Sequence, residues 1–144
     1  MAEQSFANHT KWAPWFHFFI LPALLLNFGQ SMYLWIHWGF PFHGLVGVIT
    51  AFALIALALQ SRVFSLTVQN RVIRLEERLR LERLLPSDLK PRIGDFSARQ
   101  LIALRFASDA ELPELARKVL VDNITDGKAI KQMVQNWRAD YLRV

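Results

Sequence analysis

Histidine is the side chain in this sequence best suited to ligate a metal, a haem iron or a chlorin magnesium. Four are present, His9, His17, His37 and His43, all in the apolar N-terminal part of the chain. His37 and His43 flank a short apolar connection, which would let them approach each other. No HExxH run, His–carboxylate pair or cysteine accompanies them, so no specific motif implies a cofactor. The plainer expectation is a set of imidazoles in an interfacial aromatic belt. The alternative makes His17, His37 or His43 a ligand in a haem- or (bacterio)chlorophyll-binding subunit of an electron-transfer or photosynthetic complex. No Ser/His/Asp arrangement, P-loop or suitably spaced carboxylate pair is present, and the expectation is a protein that is not an enzyme.

Other polar side chains in the apolar half read as packing devices. Asn27 and Ser31 share a helix face at i,i+4 and are expected to hydrogen-bond across to a neighbouring span. Gly44, Gly47 and Ala51 put small residues on one face of the following span, where backbones can approach closely. Further along, Arg71, Arg74 and Arg78 recur at three and four. Beside a bilayer such a row would bind anionic headgroups, each basic residue contributing ~1 kcal/mol near the surface; otherwise it is a solvated face, with Arg80 pairing to Glu76 and Glu77. Val68, Val72, Leu75 and Leu79 form a two-heptad apolar seam on another side.

The elements that must carry these residues are helices. Residues 1–14 are an N-terminal arm, polar as far as Lys11, with Trp12 and Trp15 marking a membrane boundary, followed by a first span over 15–38 that closes on Tyr33, Trp35 and Trp38. Pro22 within it is expected to kink the helix. A turn at 39–42 forces an antiparallel return through a second span, 43–61. This segment continues without Gly or Pro into an amphipathic stalk at 62–85, making one rod on the order of 65 Å from Phe42 to Leu85. No charged residue lies between Trp12 and Ser61, whereas residues 62–85 hold six Arg against three Glu. That asymmetry, with Lys11 near the first span, predicts an integral membrane protein with both termini in the cytoplasm. Residues 86–144 carry ten basic and eight acidic residues and no basic-aromatic platform, which argues against nucleic acid.

Those last residues predict a small helical domain. PSDLKPRIGDF breaks the rod, and Ser97 and Gln100 have capping-box spacing at the start of a helix bearing Leu101, Leu104 and Ala107. Asp109 is placed to cap a second helix with Leu112, Leu115, Val119 and Leu120 inward. Asp126-Gly127 precedes a third, with Ile130, Met133, Val134 and Trp137 as its stripe. Such short helices need each other or the stalk, and the Val68–Leu79 seam is the surface on which they would fold back unless two rods pair.

Four stretches carry a resemblance: FANHTKW at Phe6–Trp12, VQNRVIRLEERLRLERLLP at Val68–Pro86, LIALRFASDAELPELARKVL at Leu101–Leu120, and the terminal AIKQMVQNWRADYLRV. The chain resembles an uncharacterised bacterial family of small two-span membrane proteins, classified only as a domain of unknown function. Similar sequences sometimes bear an automatic ABC transporter permease label, which two spans without a coupling motif do not support. The resemblance implies no activity. The fold class expected is an all-α membrane protein: a two-helix transmembrane hairpin, its second helix extended into the cytoplasm, then a small bundle of short helices. Its expected role is a non-enzymatic interaction protein, an accessory or structural subunit of a larger membrane complex. Its expected partners are the bilayer and other membrane proteins or a second copy of itself.

Overall fold

The computed structural model describes residue 6 and residues 12–140. His9, Lys11, most of the expected N-terminal arm and both chain ends lie outside the described residues. The elements are α1 (Leu21–His37), preceded by a π-helical segment at Trp15–Ile20, then α2 (Phe42–Leu84), a 3-10 segment at Lys90–Asp95, α3 (Ala98–Leu104), α4 (Leu112–Val121) and α5 (Gly127–Met133). Among the described residues the only β pairing is an isolated bridge between Ala107 and Trp137. Two compact units result, Lys11–Leu66 and Thr67–Arg143, with α2 running through both.

In the first unit α1 and the first part of α2 form an antiparallel hairpin. Trp35 meets Gly44, Phe28 meets Phe52 at 6.2 Å between ring centroids, and Phe16 lies beneath the Arg62 guanidinium at 6.0 Å. Contacts therefore step backward along α1 as they step forward along α2. The reversal is a Schellman close: Phe40 N–H donates to Trp35 O and Gly39 N–H to Ile36 O, with Gly39 at φ 74°. Only glycine takes that conformation without steric cost. Trp35 and Phe40 stack edge to face at 5.1 Å, the apolar contact that accompanies this motif.

Pro22 acts otherwise than as a kink inside a regular span. It occupies the first turn of α1, and the six residues before the helix wind as a π-helix, with Leu21 N–H reaching Phe16 O. Proline supplies no N–H and its ring crowds the carbonyl four residues back, here Phe18, so a wider turn at this point relieves both.

Of the small residues on α2, Gly44 and Ala51 face α1 and Gly47 does not. A Cβ on Gly44 would lie 2.8 Å from Trp35 Cδ1, Ala51 is buried, and Gly47 has nothing within 4 Å. The inward row of α2 is thus Gly44, Val48 and Ala51, alternating at four and three as antiparallel helix packing requires. Gly44→Leu should accordingly disrupt the hairpin while Gly47→Leu leaves it intact. Hydrogen exchange of the α1 amides in detergent checks this, with protection lost in the first variant only.

The expected bond from Asn27 and Ser31 to the second helix does not form. Ser31 Oγ donates to Asn27 O of its own helix at 2.8 Å, and Asn27 is exposed. A serine hydroxyl within a helix can share the carbonyl four residues back with the backbone ladder and so satisfies itself locally.

The second unit is built on the last turns of α2. Its core joins Leu81 and Leu85 to Leu89, Ile93 and Phe96 from the connecting segment, to Leu101 and Leu104 of α3, Leu112, Leu115 and Val119 of α4, and Ile130 of α5. The helix starts follow the sequence signals. Ser97 and Gln100 form a reciprocal capping box, and Asp126 accepts from Lys128 and Ala129 N–H, which holds its carboxyl below the usual range. Two expectations fail here. Helix α5 stops at Met133, and Trp137 sits in an extended tail rather than on a helical stripe. Asp109 does not cap α4, because Arg80 has claimed its carboxylate.

Candidate interaction site

The last turns of α2 present two faces with different fates. One face enters the compact unit: Ile73, Glu77, Arg80 and Leu81 are all buried. The other face, Val68, Val72, Leu75 and Leu79, remains between 49% and 61% exposed. The short helices therefore fold back on α2, but not on the apolar seam that sequence spacing singles out.

An ionic cluster pins the buried face. Arg80 is only 5% exposed. Its Nε donates to Asp109 Oδ1 at 2.8 Å, its Nη2 to Ala107 O at 2.7 Å, and its Nη1 reaches Glu77 Oε2 at 3.1 Å. One guanidinium thus ties α2 to the α3–α4 connection through Asp109, Ala107 O and, at 3.5 Å, Arg105 O, while pairing with Glu77 on its own helix, using the planar fork that lysine lacks. Glu77, 4% exposed, also faces Arg138 at 3.6 Å. Burial pushes the Glu77 carboxyl up despite the adjacent Arg80, whereas the Arg80 hydrogen bond holds Asp109 below the usual carboxylate range. Asp109 is itself more than half exposed, so water screens that pairing.

The tail after α5 completes the cluster. Arg138 N–H donates to Phe106 O at 2.7 Å and Ser108 N–H to Asn136 O at 3.0 Å, while Glu111 Oε2 accepts from the amides of Gln135 and Asn136. Arg105 pairs with Asp140 at 3.1 Å and lies over the Phe106 ring, which also packs against Trp137. These bonds replace helical ones, which is why α5 ends before Trp137. At the surface of the same unit Arg117 pairs with Asp88 at 2.8 Å.

Spacing alone assigned Arg80 to a solvated face. A usable signal was present: Arg80 lies on the same side of α2 as Glu77, Leu81 and Leu84, opposite the seam. The connecting segment is more than a breaker: its apolar residues at 85, 89, 93 and 96 recur at four, four and three and enter the core.

The residues expected to bind headgroups lie apart from this cluster. Arg71 is exposed, and Arg74 and Arg78 are half-buried along α2. Of the candidate ligands, His17 Nδ1 lies 2.9 Å from Ala13 O, and His37 stacks on Tyr33 at 5.6 Å. His43 is exposed in the first turn of α2. Among the described residues no three His, Asp or Glu converge as metal ligands would.

Among the described residues the fold is all-helical, with two helices, Trp15–His37 and Phe42–Leu84, long and apolar enough to cross a membrane. The chain belongs to the family of unknown function DUF6526, whose model matches residues 1–144. No curated protein and no solved structure matches it.

Proposed function

We propose that this is a non-enzymatic integral protein of the bacterial cytoplasmic membrane, with both termini cytoplasmic, acting as an accessory or structural subunit of a larger assembly. The observation that carries the reading is the exterior of the hairpin. Trp15, Phe18, Leu26, Phe42, Phe52 and Leu57 are exposed, and no charged residue interrupts the sequence from Trp12 to Ser61. A continuous apolar surface of that kind is costly in water and suited to hydrocarbon. Beyond it, Arg71, Arg74 and Arg78 suit contact with anionic headgroups.

Gentle detergent extraction tests the role. The protein should emerge in an assembly containing other polypeptides and show neither a Soret nor a chlorin band. A chain that runs alone contradicts the subunit reading. A stoichiometric pigment band would instead favour ligation through His17, His37 or His43.

A further inference from the structure

We infer that the exposed seam of α2 takes a second copy of this chain, packed as a short parallel coiled coil. The inference rests on the proposed membrane anchoring for one condition only: two copies inserted the same way have parallel α2 helices at high local concentration.

Val68, Val72, Leu75 and Leu79 fall at successive d, a, d and a positions of a heptad. All four are exposed, whereas Ile73, Glu77, Arg80 and Leu81 on the other side of the same turns are buried. The opposite face, Ile73, Glu77 and Leu81, is buried within the chain's own fold, Leu81 in the core of the compact unit, so a second α2 that packs on the seam leaves that face as it is. The flanking charges then select both the partner and its direction. In this register Arg71 is a g residue and Glu76 the e residue of the next heptad, and both are exposed. A parallel pair places Arg71 of each copy against Glu76 of the other, twice by symmetry. An antiparallel pair instead sets Arg71 against Arg78 of the other copy, also twice. The parallel arrangement also sets Arg78 of each copy against Arg83 of the other and Glu82, the next d residue, against Glu82, but these contacts lie beyond the last apolar layer, beside the end of α2 at Leu84, where Glu82 and Arg83 are exposed and water and salt screen them.

The chain has no cysteine, so single-Cys variants report without background. Full-length Val68→Cys and Leu79→Cys, each in native membranes treated with a mild oxidant, should form disulfide dimers several-fold more than Asn70→Cys, which faces away from the seam. Membranes containing both variants should give no additional mixed dimer, since in parallel helices the two positions lie about 16 Å apart. Arg71→Glu should lower the Leu79→Cys yield several-fold, and adding Glu76→Arg should restore it. Cross-linking only between the 68 and 79 variants would overturn the parallel arrangement. No cross-linking above the Asn70→Cys level would overturn self-association itself, and yields indifferent to both charge changes would overturn the assigned register. An alkaline carbonate wash of the same membranes separates these outcomes from a failure of anchoring: the chain remains in the pellet if it is integral, whether or not the copies pair.

Discussion

Arg80→Met should destabilise the Thr67–Arg143 unit by about 3–5 kcal/mol, the usual cost of removing one partner of a buried ion pair. The loss would come less from missing attraction than from what remains. Glu77 is left almost fully buried with the longer, 3.6 Å contact to Arg138 in place of its 3.1 Å bond from Arg80, and Ala107 O loses a 2.7 Å donor. Hydrogen exchange of the α3 and α4 amides in nanodisc-bound protein reads the change as lost protection. Because the cost is mainly that of an orphaned charge, Glu77→Met combined with Arg80→Met should recover a large part of it. Failure of the double variant to recover stability would mean that the Arg80 bonds to Asp109 and Ala107, rather than its pairing with Glu77, hold α2 in place. Arg80→Lys should fall near the single variant, since an ammonium cannot serve three acceptors in the plane of the fork.

Leu81→Ala should cost about 2–5 kcal/mol in the same measurement, because the side chain is wholly buried and the surrounding helices cannot close fully over the cavity. Leu79→Ala, two residues away and 59% exposed, should leave the α3 and α4 amides unchanged. The pair is a direct test of which face of α2 the short helices use. Equal losses at both positions would return the fold-back to the seam.

Local physics made much of this fold readable from sequence. The capping box at Ser97, the Asp126 cap, the inward residues of α3 and α4, and the continuous helix from Phe42 each depend on neighbours within a few positions. What escaped reading depended on tertiary competition. The apolar seam at Val68–Leu79 has the better hydrophobic spacing, yet the compact unit packs on the face bearing Glu77 and Arg80. There the α3–α4 connection offers Asp109 and two backbone carbonyls, and no periodicity reveals those acceptors. Asp109 could serve either the α4 amides or Arg80, and the guanidinium won because a charge-assisted bond to a buried cation outweighs a cap. Trp137 left its expected helix because the carbonyl of Phe106 and the carboxylate of Glu111 compete for amides in the tail. Ser31 turned back to its own helix for a similar reason. Gly47 differed from Gly44 only by its position around α2, which small-residue spacing does not resolve.

The central claim, a hairpin inserted with its charged half on the cytoplasmic side, is tested most directly by cysteine accessibility. In spheroplasts expressing full-length Pro41→Cys or Ser87→Cys, a membrane-impermeant maleimide should label position 41 at once and position 87 only after the membrane is permeabilised. Immediate labelling at 87 with protection at 41, or labelling of both positions in a chain that alkaline carbonate releases from the membrane, would contradict the account.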